Sequence, residues 1–187
     1  VARAWSSPRG NFHATLLLFP KETPDQVALR SFAAALALRD ALVAVTGLPE
    51  AFSLKWPNDV LYQDQKLAGV LIEMTGDPAG YCQVVIGMGI NVGMSNEHSY
   101  SIEQPWIDVR SIFIQQGLAD LSRNLLVATL IDELVSVLDG YEQAGFVSYC
   151  AEWQSLNAYA GQRVELRNGN LTYSGVCLGV TDTGALL

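Results

Sequence analysis

Apolar and polar residues alternate over residues 11–19, with Phe12, Ala14, Leu16 and Leu18 in register, which predicts a strand there. Thr23-Pro24 then supplies an N-cap and a proline at the first helical position. From residue 25 to 45 the apolar positions recur at helical spacing, and Gly47 closes the helix. Its alanine-rich face implies close packing on a sheet. Residues 52–56 predict a short strand stopped by Pro57. Residues 60–62 and 67–74 predict a hairpin about Asp64-Gln65, and residues 81–92 a long strand rich in β-branched side chains. Adjacent strands joined by such short turns make an antiparallel meander.

Residues 95–121 carry no clear period, and Trp106-Ile107-Asp108 reads as a loop packed locally. Ser122 caps a helix over 123–144, with Leu126, Leu130, Leu134, Val137 and Leu138 on one stripe. Residues 146–156 predict a second helix. After Ala160-Gly161 the period changes to two: residues 164–166 and 172–180 pair about Asn168-Gly169, and Asp182-Thr183-Gly184 is a further turn. A domain boundary is therefore expected at 157–161, followed by the start of a small all-β unit. The fold class is α+β, a mixed, largely antiparallel sheet packed with helices.

Composition narrows the function classes. The chain has 187 residues, is 50% hydrophobic, and carries a formal net charge of −8, which excludes disorder and argues against a nucleic-acid footprint. Only three residues are lysine: Lys21, Lys55 and Lys66. Cys82, Cys150 and Cys177 are widely spaced, and His13 and His98 are isolated, so neither a zinc site nor a disulfide framework is expected and a reducing cytoplasm is the simplest compartment. No apolar run reaches the ~20 residues of a membrane span. The chain opens at Val1 and stops in mid-pattern at Leu187, which reads as a fragment.

Three segments could carry chemistry. Lys55-Trp56-Pro57-Asn58-Asp59 presents an ammonium, an amide and a carboxylate on one sharp turn, the groups that hold a polyphosphate and its cation. The same residues also make an ordinary β-turn. Lys66 opens a strand in which simple alternation puts Lys66, Ala68 and Val70 on one face and Leu67, Gly69 and Leu71 on the other. Gly69 in mid-strand suits a closely approaching ligand, while a surface lysine is the plainer account of Lys66. In Gly87-Met88-Gly89-Ile90-Asn91, alternation gives an apolar core face and a bare face of Gly87, Gly89 and Asn91, suited either to a flat ligand or to tight packing. The dinucleotide fingerprint fails because Val92 stands where glycine is needed, and no Walker A, G-x-S-x-G or H-E-x-x-H occurs.

Taken together, Lys55 to Asp59, Lys66-Leu67-Ala68-Gly69-Val70-Leu71-Ile72-Glu73 and Gly87 to Val92 resemble the biotin protein ligase family in order and spacing. Arg3-x-Trp5-x-Ser7-Pro8-x-Gly10 looks like the tail of the family's glycine- and arginine-rich loop. The resemblance implies a class II aminoacyl-tRNA synthetase/biotin ligase-like catalytic domain over 1–157 with its N-terminal part missing, then a truncated SH3-like C-terminal domain over 160–187. It implies a two-step reaction, in which biotin and ATP give biotinyl-5′-AMP and a lysine of a biotin carboxyl carrier protein domain then takes the biotin. Lys66 would hold the biotin carboxyl group, and Gly69, Gly87 and Gly89 would line the ring slot. Arg3, Trp5, Lys55, Asn58 and Asn91 would serve ATP, Asp59 and Asn91 would hold Mg²⁺, and Lys66, Lys55 and Arg3 would act on the developing charge. The family also implies a cytoplasmic enzyme, a homodimer paired through its sheets, no membrane partner, and no nucleic-acid partner visible in this chain. Two alternatives stand beside it: a lipoate ligase or acyltransferase of the related fold, and a truncated biotin-binding module without turnover.

Overall fold

A computed structural model of the chain describes residues 9–76, 82–94, 104–120 and 122–187. Five strands form one antiparallel sheet in the order β1-β5-β4-β3-β2. They are β1 (Phe12–Leu18), β2 (Phe52–Lys55), β3 (Asp59–Tyr62), β4 (Gln65–Gly76) and β5 (Cys82–Ile90). β1 alternates between half-buried and exposed residues, the period-two signature of a sheet with one covered face. The β3–β4 hairpin turns one residue earlier than expected. Tyr62 pairs with Gln65, and Gln63 and Asp64 both adopt positive φ, as a two-residue hairpin loop matched to strand twist requires.

Helices cover one face. The expected helix over 25–45 is two, α1 (Pro24–Ala28) and α2 (Arg30–Thr46), separated at Leu29. Phe32 N–H bonds to the Leu29 carbonyl at 3.1 Å, a tightened turn where the two axes meet. Gly47 caps α2 in the left-handed conformation, its N–H on the Val43 carbonyl. Ala33, Ala34, Ala35, Ala37 and Ala41 are all buried, together with Leu36, Leu38 and Leu42. α2 is thus apolar nearly all round, because it lies between the sheet and the outer helices. α4 (Arg123–Ala144) packs along it through Leu126, Leu130, Leu134 and Leu138, with the Ser122 hydroxyl accepting from Leu125 N–H at its start. α5 (Val147–Ser155) buries Trp153 edge-on to Phe32. Among the described residues no helix is long and apolar enough to cross a membrane.

The segment expected to be a loop contains a helix, α3 (Val109–Gln116), capped by the Asp108 carboxylate, which accepts from Ser111 N–H at 2.7 Å. Residues 163–168 and 171–176 form the C-terminal hairpin, β6 (Arg163–Asn168) and β7 (Leu171–Val176), with its turn at Gly169-Asn170, one residue later than expected because Asn168 pairs with Leu171. β7 stops at Val176, short of the expected residue 180, and only an isolated bridge, Val180 to Leu186, follows. No closed barrel is formed among the described residues. This C-terminal part is joined to the rest by backbone and core alike. Leu54 bonds through its N–H to Leu156 O and through its carbonyl to Ala158 N–H, extending the sheet edge at β2, and Val180 lies in the main core.

Candidate functional site

The helix-free face of the sheet carries the candidate chemistry, and a β-bulge decides what it presents. Val60 pairs with Ala68 but Leu61 pairs with Lys66, so Leu67 is an extra residue in β4. Leu67 and Ala68 are both buried, and the alternation is reset between them. The simple period put Lys66 with Ala68 and Val70; the bulge instead puts Lys66 on the side of Gly69. A Cβ placed on Gly69 would lie 3.4 Å from Lys66 Nζ and 3.1 Å from Asp59 Oδ1. Lys66 Nζ and Asp59 Oδ1 form an ion pair of 2.6 Å, with side chains 28% and 11% exposed.

Register extends this pair into a row. Lys55 lies opposite Asp59, Asp59 opposite Gly69, Gly69 opposite Gly89, and Gly89 opposite His13. One step along, Leu71, Gly87 and Thr15 lie opposite one another. In β5, Val84, Ile86, Met88 and Ile90 are buried toward the helices while Gly87 and Gly89 face the other way, as the alternation predicts. Gly87 has open space above it, its nearest neighbours being Leu71 atoms at 3.8 and 3.9 Å from a built Cβ. The result is a bare backbone strip, led by an ammonium–carboxylate pair at one end. A flat, uncharged body with an anionic tail suits it.

The turn before β3 is held by its own residues. The Asn58 side-chain amide donates to the Val70 carbonyl, and Val70 N–H returns a bond to Asn58 O at 3.0 Å. The Trp56-Pro57 peptide is cis, and Trp56 Nε1 donates to Gly184 O at 3.0 Å, linking the turn to the chain's last residues. Between this turn and β6 lies a cleft of about 610 Å³ whose lining includes Lys55, Asn58, Asp59, Tyr159, Glu165 and Arg167. Burial, then the Asp64 and Asp59 carboxylates, push the Tyr159 hydroxyl pKa up, so it remains a donor there. Lys55, Asn58 and Asp59 thus line one cleft.

Asn91 is different. Its side-chain amide donates to Lys66 O (3.3 Å) and Ile107 O (3.2 Å), and its Oδ1 accepts from Asn11 at 3.4 Å. Its backbone bonds Leu67 O and Val109 N–H. These bonds tie the end of β5 to the bulge and to α3, and they turn the amide oxygen to Asn11 rather than to Asp59. The expected pairing of Asn91 with Asp59 as cation ligands is therefore not what the geometry builds; Asn91 is spent on backbone groups. Among the described residues no group of three or more His, Cys, Asp or Glu could hold a metal. The carboxylate of Asp59 is of the kind that would hold a magnesium ion arriving with a polyphosphate. Arg3 and Trp5 lie outside the described residues.

Two contributors were not singled out from the sequence. Pro105 to Ile107 pair with the start of β4, with Lys66 N–H on Pro105 O at 2.9 Å and Ile107 N–H on Lys66 O at 3.1 Å. Asn11, 6% exposed, accepts from Val92 N–H at 3.1 Å. A lone Asn after glycine at a strand start is the only local hint of the latter.

Fold and site together have counterparts among the biotin and lipoate ligases. A family profile described as "Biotin/lipoate A/B protein ligase family" matches residues 1–91. The chain is 33% identical to "Bifunctional ligase/repressor BirA" of Escherichia coli, covering 99% of this chain and 56% of that protein. It is 34% identical to "Biotin--[acetyl-CoA-carboxylase] ligase" of Paracoccus denitrificans, covering 99% of this chain and 76% of that one. The biotin protein ligase of Aquifex aeolicus, solved in complex with biotin and ATP, matches with a TM-score of 0.78 at 28% identity, over 98% of this chain and 73% of that chain. The chain belongs to the biotin protein ligase family. It spans just over half the length of the Escherichia coli relative.

Proposed function

We propose that the protein is an ATP-dependent ligase that activates biotin as biotinyl-5′-AMP, releasing pyrophosphate, and passes it to a lysine of a biotin carboxyl carrier protein domain. The observation that carries this reading is the Lys66–Asp59 pair at the head of the Gly69–Gly89–Gly87 strip, in a fold matched by a relative solved with biotin and ATP. Lys66 meets the biotin carboxylate, and the glycines leave room for the fused rings. Lys55 and Asn58, with Arg3 and Trp5 from the N-terminal segment, serve the nucleotide. Asp59 would hold a magnesium ion that comes with the nucleotide, and the ion would supply charge neutralisation on the phosphates. Asn91 acts by holding the Lys66 backbone. Activation needs stabilised charge rather than a protein nucleophile, which Lys66 and Lys55 supply. Residues 1–157 form the catalytic domain, and residues 160–187 begin an SH3-like domain whose first hairpin is β6–β7. The protein works in the cytoplasm, as a dimer.

Pyrophosphate release on adding biotin, ATP and Mg²⁺, followed by biotin transfer to a carrier domain, tests the reading. Lys66→Ala should cost about 1.5–3 kcal/mol of bound-state stabilisation, a loss of one to two decades in kcat/KM. Release driven by lipoate and not by biotin would establish the lipoate reading; biotin binding without release would establish a module without turnover.

A further inference from the structure

The Lys66 ammonium is engaged within the protein itself: Asp59 Oδ1 stands 2.6 Å from Nζ, and the two side chains are half-buried and nearly buried. The engagement is built in by backbone. The bulge at Leu67 turns Lys66 to the open face, antiparallel register sets Asp59 opposite Gly69, and the missing Cβ of Gly69 leaves the space the two charged groups share. The Asn58–Val70 pair of hydrogen bonds fixes the residue before Asp59, so the carboxylate has little freedom to withdraw. A substrate carboxylate that reaches Lys66 therefore arrives beside a second carboxylate.

We propose that Asp59 is an internal competitor for Lys66, lowering the affinity of the site for a carboxylate ligand in the absence of nucleotide and cation. The proposal rests on the reading that Lys66 receives the biotin carboxylate. It gives Asp59 a charge-setting role separate from any bond to a metal, and opposite in sign to that of a residue that merely orients Lys66.

Calorimetric titration of the protein with biotin in EDTA, without nucleotide, tests it, using biotinamide as the uncharged comparator. Asp59→Asn keeps the size of the side chain and removes its charge; Asp59→Ser is the second variant should the first fold poorly. The expected result is about tenfold tighter binding of biotin, the scale of one partly buried charge pair, with biotinamide affinity unchanged. Unchanged biotin affinity in both variants, as a metal-only role requires, would overturn the proposal. So would weaker biotin binding, the mark of an orienting role. Lys66→Ala separates the two levels: if it leaves biotin binding intact, the assignment of Lys66 fails first, whereas weakened biotin with unimproved Asp59 variants refutes the competition alone.

Discussion

Replacing Gly69 by alanine pits backbone gain against site loss, and the structure says how each should move. In a strand interior alanine recovers about 0.5–1 kcal/mol of backbone entropy relative to glycine. Against that, the new methyl would stand 3.1 Å from Asp59 Oδ1, closer than ordinary contact, and 3.4 Å from both Cε and Nζ of Lys66, at the near limit of it. Lys66 can swing away at little cost, being partly exposed; Asp59 is more confined. The two effects on stability should leave a net change within about 1 kcal/mol, a shift of a few degrees in Tm for a chain of this size. Binding should respond far more. The methyl occupies the floor of the strip and displaces the ammonium from its place over it, so biotin affinity should fall by at least about tenfold. Thermal unfolding followed by circular dichroism and a biotin titration on the same sample measure both quantities. Wild-type affinity in Gly69→Ala would refute the claim that this strip is the ligand floor. A large loss of stability with affinity per folded molecule intact would refute the claim that the glycine serves the site rather than the sheet.

Gly184→Ala should damage the fold instead. Gly184 has φ of 76°, and a Cβ there would come within 2.3 Å of Leu29 Cδ2 and 3.2 Å of Phe32, so urea unfolding should show a loss of about 1–3 kcal/mol. Tyr141 gives a pH signature. Burial raises its pKa to about 12 from 10.0, outweighing the neighbouring Arg30 cation, and its hydroxyl donates to Gln26 O at 2.6 Å. The unfolded tyrosine ionises first, so this contribution is complete below pH 10 and disappears as pH rises to 12. It amounts to about 2–3 kcal/mol, and Tyr141→Phe should flatten that part of the stability–pH curve.

Legibility in the sequence followed the range of the interactions. α4 was readable to the residue because Ser122 caps it locally and Leu126, Leu130, Leu134 and Leu138 recur about once per turn. The glycine face of β5 was readable because strand alternation needs nothing beyond the strand. α3 escaped notice since eight residues offer barely two turns of period, and its cap, Asp108, also accepts from the distant Met94 N–H. The facing of Lys66 was misread for a different reason. One extra residue reverses every later side chain in a strand, and the bulge is set by pairing with β3, which no count along β4 reveals. Asn91 was placed by resemblance on a cation, whereas its bonds run to carbonyls 16 and 25 residues away. Residue types identified the chemistry of the site; partner strands determined which way it faces.

The hydrogen bond from Trp56 to Gly184 spans 128 residues and anchors the turn that carries Asn58 and Asp59. During synthesis that turn is made early, yet its indole has no acceptor until the final stretch of this sequence has emerged. The edge of β2 likewise waits for residues 156–158. A nascent chain can therefore pair the strands of the glycine strip while the turn before β3 and the β2 edge still lack these partners. A truncation that spares every residue at the site can therefore still loosen the turn that carries Asn58 and Asp59.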